Sequence, residues 1–351
     1  MNKKILFLIA VFIFFVYIFE INYNHAKYNP EFKIAVVQIS SAKLKSYITF
    51  FDEDLNEISS MKINCGGLSQ CWDFPKIIDN KVYMNVKGTD LWPKSHIAQF
   101  DLKTGDYKLY NVHQKFNTCF AVDNKNIYAA NCDKNANIIK YEISSCSIKK
   151  LVIPNMYITH MKIYDENLFA FGNFSYPHNN SRLYIIDTKT MQIKKDVDIT
   201  NCGYAQFDSI KINNDIYFSN YMQIENSISE TDSNIIGKYN LKNNQLEKII
   251  LEHTCPKQII LYKNELIISH EDWHGNGKHL SILNLETQNT KSIEIKNAPY
   301  QIYLSKDKIY SIDRQKLYKY DLNSFVLEKQ INLHTQKKYG SDFFISGFFF
   351  K

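Results

Sequence analysis

The stretch Tyr300–Leu333 reads YQIYLSKDKIYSIDRQKLYKYDLNSFVLEKQINL and holds one complete structural unit. Its apolar and aromatic residues predict four strands, because short apolar or alternating runs between polar turns are typical of packed strands. The predicted strands are Tyr300–Ser305, Ile309–Asp313, Leu317–Leu322 and Val326–Leu333. The turns between them supply Asp and Asn, which tolerate left-handed backbone angles. The unit is therefore expected to be an antiparallel meander, here called strands A to D.

The same phrase recurs through the chain: two apolar or aromatic residues, an Asp, Asn or Glu, and a short polar turn. The acidic or amide residue is Asp52, Asp101, Glu142, Asp187, Asn240, Asn284 and Asp321. These positions lie roughly 45 residues apart, which is the length of one propeller blade. A second recurrence, a polar turn followed by an aliphatic–aromatic pair, falls between them and predicts the A-to-B hairpins. The sequence thus predicts an all-β, seven-bladed β-propeller of four-stranded antiparallel blades over residues 31–351.

The first blade lacks one strand in the sequence. Residues 34–63 contain only three strands, at Ile34–Ile39, Tyr47–Asp52 and Glu57–Ile63, whereas Asp342–Phe350 is a lone hydrophobic strand. Pairing that strand with Ile34–Ile39 would complete the blade and remove two exposed sheet edges, which otherwise invite aggregation. We therefore expect the C-terminal strand to close the ring. The alternative is a disordered or membrane-seeking tail.

Strand phrases such as Ile309-Tyr310-Ser311-Ile312-Asp313 and Ile216-Tyr217-Phe218-Ser219-Asn220 resemble those of seven-bladed propellers of the YVTN-repeat and WD40-like superfamily. The resemblance covers nearly all of residues 33–350. It implies that ligands meet the face shared by the B-to-C loops and the blade-to-blade D-to-A connections, here called the top face. It does not imply an activity, because this fold carries scaffolds, binding proteins and enzymes.

The amino terminus has the pattern of an export element. Lys3 and Lys4 precede an apolar run from Ile5 to Phe19, and residues as far as Tyr23 extend the segment. We expect residues 1–30 to form an uncleaved signal anchor and short linker, with residues 5–23 in the membrane. Lysines before an apolar segment stay on the cytoplasmic side, so the propeller should face outside the cell. The alternative is a cleaved signal peptide and a secreted propeller.

Composition and motifs restrict the function classes. The chain is 45% hydrophobic with 24 Tyr and 23 Phe, and its formal net charge is +6. No basic stripe with interleaved aromatic residues is present, so we predict no nucleic-acid partner. The sequence also lacks the phosphate-binding loop, the dinucleotide fingerprint and the Ser nucleophile elbow. No catalytic residue can be assigned, and whether the protein is an enzyme is left open.

Long B-to-C loops are the predicted ligand-binding regions, because binding residues concentrate on loops that a rigid scaffold positions. The candidates are Asp90, Trp92, His96, His178, His270, Asp272, Trp273 and His274. Trp92 and Trp273 could act as stacking platforms for a glycan or a peptide. We therefore expect a binding or interaction module whose partner is a protein or a cell-envelope polymer.

The segment His270-Glu271-Asp272-Trp273-His274 matches the zinc-protease motif, but that motif requires a helix, and this segment follows a predicted strand. On an extended strand His270, Asp272 and His274 share one side, with His279 nearby across the hairpin. A divalent metal at these three residues is one hypothesis, and it leads to the alternative function of a metal-dependent hydrolase or lyase with a site in the central funnel. The other reading is a solvated polar loop covered by Trp273. No other cofactor is predicted.

Six of the seven cysteines fall on top-face connections or strand ends: Cys65, Cys71, Cys119, Cys132, Cys202 and Cys255. Cys119 and Cys132 are symmetric about the Lys125-Asn126 turn, so a paired hairpin would bring them opposite one another, within reach of a disulfide. Cys65 and Cys71 could close a small loop. An extracytoplasmic location favours such bonds. The alternative is that these cysteines are small buried hydrophobic residues at narrow sites.

Overall fold

The computed structural model describes residues 28–40, 45–63, 65–69, 73–87, 96–114, 117–131, 135–174, 180–225, 229–272, 277–333 and 343–351. Their strands form seven antiparallel sheets, each with four strand positions. The prediction of an all-β, seven-bladed propeller is confirmed.

Blades one to three contain the following strands: β1 (Ile34–Ser40), β2 (Lys45–Phe51), β3 (Glu57–Ile63); β4 (Gly67–Leu68), β5 (Lys76–Ile78), β6 (Lys81–Lys87), β7 (His96–Asp101), β8 (Tyr107–Asn111); β9 (Asn117–Val122), β10 (Asn126–Asn131), β11 (Ala136–Glu142), β12 (Ile148–Ile153). Blades four and five contain β13 (Met156–Tyr164), β14 (Asn167–Phe174), β15 (Ser181–Asp187), β16 (Ile193–Asp198); β17 (Ser209–Ile212), β18 (Asp215–Glu225), β19 (Ser229–Asn240), β20 (Leu246–Ile250). A short 3₁₀ turn, Thr200–Cys202, precedes blade five.

Blades six and seven contain β21 (Pro256–Tyr262), β22 (Glu265–His270), β23 (His279–Asn284), β24 (Thr290–Glu294); β25 (Gln301–Ser305), β26 (Lys308–Ile312), β27 (Lys316–Asp321), β28 (Leu327–Asn332). The last strand, β29 (Phe344–Phe350), is the inner strand of blade one. It pairs antiparallel with β1, for example Ile34 with Phe350 and Ile39 with Phe344. The expected closure of the ring is confirmed, with the strand starting two residues later than Asp342.

The recurring Asp or Asn caps the C-to-D turn of its own blade. The Oδ1 atom of Asp321 accepts the backbone N–H groups of Asn323 and Ser324 at 3.1 and 2.9 Å. Asp187 and Asn284 make the equivalent pairs of bonds. Such side-chain bonds replace the backbone partners that a tight turn lacks. The repeat in the sequence is therefore a repeat of turn chemistry.

The residue that follows the recurring Asp or Asn connects the C-to-D turn to the A-to-B turn of the same blade. Leu322 donates its backbone N–H to the Asp307 carbonyl at 2.8 Å, and Leu241 donates likewise to Asn214 at 2.8 Å. Six of the seven blades have this bond, since Leu102, Ile143, Thr188 and Leu285 repeat it. It links the two sequence recurrences on the face opposite the top.

The hydrophobic core is divided among the junctions between blades. One apolar cluster fills each of the seven junctions, and each cluster takes side chains from both adjacent sheets. At the last junction, Phe348 and Phe350 of β29 pack with Tyr310 of blade seven. Since a strand sends alternate side chains to its two faces, each blade contributes to two clusters. Burial therefore holds neighbouring blades together around the whole ring.

A circle of side-chain to backbone hydrogen bonds also joins the inner strands. Each junction has at least one: Ser346 Oγ to Leu68 O (2.7 Å), Phe120 N to Asp73 Oδ2 (2.8 Å), Thr118 Oγ1 to Ile158 O (2.8 Å), Lys162 Nζ to Ser209 O (2.6 Å), Ile259 N to Asp208 Oδ2 (3.0 Å), Ile302 N to Gln258 Oε1 (2.7 Å) and Phe348 N to Gln301 Oε1 (2.9 Å). Buried backbone groups that face another sheet are satisfied in this way.

Blade two departs from the expected pattern. The sequence predicts four strands in each blade, but blade two begins at Gly67 and its inner strand is split into β4 and β5, which both pair with β6. Between them, Ser69 has a positive φ of 57° and its hydroxyl donates to the Asp73 carbonyl at 3.0 Å.

The expected membrane anchor falls almost wholly on residues 1–27, which lie outside the described residues. Among the residues that are described, no helix is long and apolar enough to span a membrane. Tyr28 belongs to the propeller, since its ring packs edge-on against Phe50 and Phe100 and its hydroxyl donates to the Leu102 carbonyl.

Candidate functional site

A pocket of about 470 Å³ opens on the top face between blades six and seven. Its lining comes from the B-to-C loop of blade six, the connection into blade seven, and the B-to-C loop and strand C of blade seven. The residues are Glu271, Lys278, Lys296, Asn297, Ala298, Tyr300, Asp313, Arg314, Gln315 and Tyr318. This volume is within the range of small-ligand sites.

A buried ion pair lies at the floor of this pocket. Lys257 Nζ donates to Glu271 Oε2 at 2.5 Å, and the two side chains are only 4% and 8% exposed. Lys257 lies in an irregular part of β21, where the register with β22 shifts between Pro256 and Ile259. Its ammonium also lies 4.0 Å from the centre of the Tyr300 ring, a cation–π contact. Lys257 therefore neutralises Glu271 from beneath the pocket.

One wall of the pocket is held rigid by Asp313. Its Oδ1 accepts the backbone N–H groups of Gln315 and Lys316, both at 2.7 Å, and its Oδ2 accepts the Tyr318 hydroxyl at 2.6 Å. Burial and the bond to the Asp313 carboxylate both raise the pKa of Tyr318, so the phenol stays protonated as a donor. Both carboxylate oxygens of Asp313 are thus occupied in shaping the loop.

The connection between the two blades is also fixed by side-chain bonds. Asn297 Nδ2 donates to Ser311 Oγ at 2.9 Å, and Asn297 Oδ1 accepts the Tyr320 hydroxyl at 2.6 Å. Asn297 itself is 3% exposed. The pocket therefore has preformed walls, which lowers the ordering cost of binding a ligand.

Three cations line the pocket without an acidic partner. Lys278, Lys296 and Arg314 are solvent-exposed, and none forms an ion pair within the described ranges. The two carboxylates of the lining are committed elsewhere, Glu271 to Lys257 and Asp313 to its own loop. The pocket thus presents uncompensated positive charge, which favours anionic groups.

His270 lies beside this region as a buried structural residue. It ends β22 and is 0% exposed. Its Nδ1 lies 2.7 Å from the Thr254 carbonyl oxygen and its Nε2 lies 2.8 Å from Ser281 Oγ. Burial lowers the pKa of His270 to about 4, so the ring is neutral at pH 7. The ring therefore donates from Nδ1 to the carbonyl and accepts at Nε2 from the Ser281 hydroxyl.

His279 lies opposite His270 across the hairpin, as expected. Its ring stacks on that of His253, with centroids 3.6 Å apart. Ligation of a metal by His270 would require one of its two hydrogen bonds to break. Across the described part of the chain, no group of three or more His, Cys, Asp or Glu side chains is arranged to hold a metal ion. His274 lies outside that part, so the metal site at His270, Asp272 and His274 stays a prediction.

A second charged cluster lies on or next to the inner strands of blades two, four and five. Lys76 pairs with Asp73, and Lys162 Nζ lies 3.2 Å from Asp208 Oδ1. Burial raises the pKa of Asp73 to about 6 even though Lys76 acts to lower it. Both carboxylates also accept a backbone N–H from the next blade. This cluster is therefore part of the inner ring of bonds.

Of the other residues predicted for the top face, His96 is the first residue of β7 in blade two, and Asp272 lies directly after Glu271 in blade six. Asp90, Trp92, His178 and Trp273 lie outside the described residues, as do Cys71 and Cys132. Cys119 is buried and pairs with Ala130 in the hairpin, with its sulfur 3.7 Å from the Ile158 carbonyl oxygen. The two disulfides stay predictions.

The pocket brings together residues that the sequence pattern did not single out. Lys257, Lys278, Lys296, Tyr300 and Arg314 belong to no motif, and they converge only because two blades pack side by side. The sequence offers only a weak indication of this site: four of these five residues lie on top-face connections or strand ends of consecutive blades. Glu271 was visible in the sequence only as part of the rejected protease motif.

Comparison with known proteins supports the architecture. No protein-family model matches the chain, and no curated protein matches it. Among solved structures, the structure of apo AztD from Citrobacter koseri is similar with a TM-score of 0.53 and 11% sequence identity. The alignment covers 90% of this chain and 97% of that one. At this identity the likeness shows the propeller fold alone.

Proposed function

We propose that this protein is a membrane-anchored, outward-facing binding module whose ligand occupies the top-face pocket between blades six and seven. The observation that carries the proposal is the preformed pocket itself, with a buried ion pair at its floor and walls fixed by Asp313 and Asn297. Pockets of this size with a few convergent polar groups are the usual place of ligand binding. The partner would be a protein or a cell-envelope polymer.

A site-specific cross-linking experiment tests the binding role in intact cells. A photoreactive residue replaces Gln315, which is exposed at the pocket, and in a matched variant replaces Asn243, which is exposed in a C-to-D turn on the opposite face. We expect adducts of the full-length protein from the Gln315 position and none from Asn243. Equal adducts at both positions, or none at Gln315, would contradict the proposal.

The native Cys146 tests the outward orientation. Its thiol is exposed in the C-to-D turn of blade three, whereas Cys119, Cys202 and Cys255 are buried. A membrane-impermeant maleimide added to intact cells should label the wild-type chain more strongly than a Cys146→Ser variant. If the two label equally in intact cells and differ only after the cells are opened, the propeller faces the cytoplasm.

A further inference from the structure

We infer that the pocket between blades six and seven takes an acidic carbohydrate, a hydroxylated ligand that carries carboxylate or phosphate groups. This inference rests on the proposed function, because it names the ligand class of the same pocket. Three features of the pocket lead to it: unpaired cations at the rim, a carboxylate oxygen at the floor, and a volume that suits a ligand of about disaccharide size.

The charge balance selects an anion. Lys278, Lys296 and Arg314 line the pocket and have no acidic partner in the described ranges, and Lys257 lies beneath the floor. Three cations therefore line the pocket, and its two carboxylates, those of Glu271 and Asp313, are already bonded within the protein. The three cations come from three separate segments of the chain, the B-to-C loops of blades six and seven and the connection between these blades. Arg and Lys in such an arrangement bind carboxylate and phosphate groups through charge-assisted hydrogen bonds.

The floor of the pocket selects hydroxyl groups. Lys257 binds Glu271 through Oε2, and Oε1 has no hydrogen-bond partner among the described residues. A carboxylate oxygen is an acceptor only, so Oε1 favours a ligand that donates an O–H group to it. A ligand with anionic groups alone would satisfy the three cations and leave Glu271 Oε1 without a donor. A sugar acid supplies anionic groups for the three cations and O–H groups for Glu271 Oε1.

The position of Arg314 couples the site to the closure of the ring. Its backbone carbonyl accepts the N–H of Ile345, the second residue of β29, at 3.1 Å. The rim is thus built on the junction that the last strand completes, where Gln301 also binds the backbone of Phe348. The position of Arg314 at the pocket therefore depends on closure of the ring.

Titration of the detergent-solubilised full-length protein tests the ligand class. The probes are digalacturonate and its neutral methyl ester, and glucose 6-phosphate and 6-O-methylglucose; each pair has matching hydroxyl groups. We expect each anion to bind at least ten-fold more tightly than its neutral counterpart, with affinity falling as NaCl is raised. The two pairs separate carboxylate from phosphate recognition. Equal affinity for the charged and neutral member of both pairs would overturn the inference.

A matched pair of variants locates the effect. The variant Lys278→Gln/Lys296→Gln/Arg314→Gln should lose the preference for the anion by ten-fold or more. The control Lys103→Gln/Lys125→Gln/Lys242→Gln removes the same charge from exposed turns on the opposite face and should keep it. If both triple variants lose the preference for the anion equally, the preference comes from the net charge of the protein, and the proposed site is wrong.

Two further outcomes separate this inference from the proposed function. If adducts form at Gln315 but none of the sugar probes binds, the binding role stands and the ligand class is wrong. Tighter binding of a triglutamate peptide than of digalacturonate would likewise replace the carbohydrate by an acidic peptide. Absence of both adducts and probe binding would remove both proposals.

Discussion

At the scale of single residues, the ion pair between Lys257 and Glu271 is the most consequential contact at the site. Both side chains are nearly inaccessible, so each charge depends on the other for compensation. Removing one partner of such a pair leaves an uncompensated charge in a poorly solvated position, whereas removing both does not.

The first prediction concerns this pair. Lys257→Met should destabilise the propeller by about 3–5 kcal/mol, because Glu271 would remain buried without its partner. Urea unfolding of the full chain measures the loss. The double variant Lys257→Met/Glu271→Leu should lose clearly less than Lys257→Met alone. If the double variant is the less stable of the two, the pair does not behave as a coupled unit.

The second prediction concerns His270 and pH. The folded-state pKa of His270 is lowered to about 4 from an ordinary value of 6.5, so on acidification the unfolded chain binds the proton first. The stabilisation that the buried neutral ring of His270 contributes to the folded state is complete above pH 6.5 and is lost as the pH falls from 6.5 to 4. Between pH 7 and pH 5 the loss should be about 2 kcal/mol. The pKa of His279 is also lowered, mainly by burial and then by His253, and acts in the same direction.

Unfolding by urea at pH 7 and pH 5 tests the assignment. The variant His270→Gln keeps a hydrogen-bonding side chain without a titrating group in this range, and its stability should vary less between the two pH values by about that amount. An unchanged pH dependence would show that His270 is protonated in the folded state or is not buried.

At the scale of strands and turns, local hydrogen bonding explains why the sequence predicted so much. Asp321 and Asn284 sit in the C-to-D turns because their side chains accept the N–H groups that follow them, and that requirement is visible in the chain. The strands of blade seven match the predicted ones to within two residues. The divided inner strand of blade two was not predicted, since Gly67–Leu68 is too short to give an apolar pattern.

The third prediction concerns a cross-strand pair in blade five. Phe218 of β18 lies opposite Gly237 of β19, and a Cβ added at Gly237 would overlap the Phe218 ring. Gly237→Ala should therefore destabilise the protein by about 1–3 kcal/mol through overpacking. The double variant Phe218→Leu/Gly237→Ala should be more stable than Phe218→Leu alone, because the added methyl group fills part of the space that the phenyl ring leaves. A double-mutant cycle measured by thermal or urea unfolding tests this. A cycle with no coupling energy would contradict the predicted overlap.

At the scale of the whole molecule, the fold was predictable and the site was not, for a physical reason. Blade number and closure follow from a repeated local pattern and from the cost of an exposed sheet edge. The pocket depends on how two blades face each other, and Arg314 sits in a short loop with no distinguishing sequence. His270 stood out in the sequence, yet the structure uses it as a buried hydrogen-bonding residue.

The fourth prediction concerns the two ends of the described chain. Removal of residues 343–351 should abolish cooperative folding, because β1 would lose its inner partner and the blade seven–blade one core would lose Phe348 and Phe350. Under the proposed membrane anchoring, removal of residues 1–27 should leave the propeller folded and shift it from the membrane to the soluble fraction. Circular dichroism melting and fractionation measure the two effects.

A deletion of residues 1–32 serves as the matched control for the amino terminus. It also removes Tyr28 and Phe32, which pack on Phe50, and it should lower the melting temperature relative to the deletion of residues 1–27. A propeller that melts normally without residues 343–351 would contradict closure by β29.

The pairing of β1 with β29 also has a consequence for biosynthesis. About three hundred residues separate Ser40 from Phe344, so the first blade waits for its last strand until nearly the whole described chain has left the ribosome. During that interval the nascent polypeptide exposes an unsatisfied β edge and an unfilled aromatic junction, both of which favour misassembly. Newly made copies should therefore depend on a holding chaperone in whichever compartment they fold, and slowing translation should lengthen that dependence.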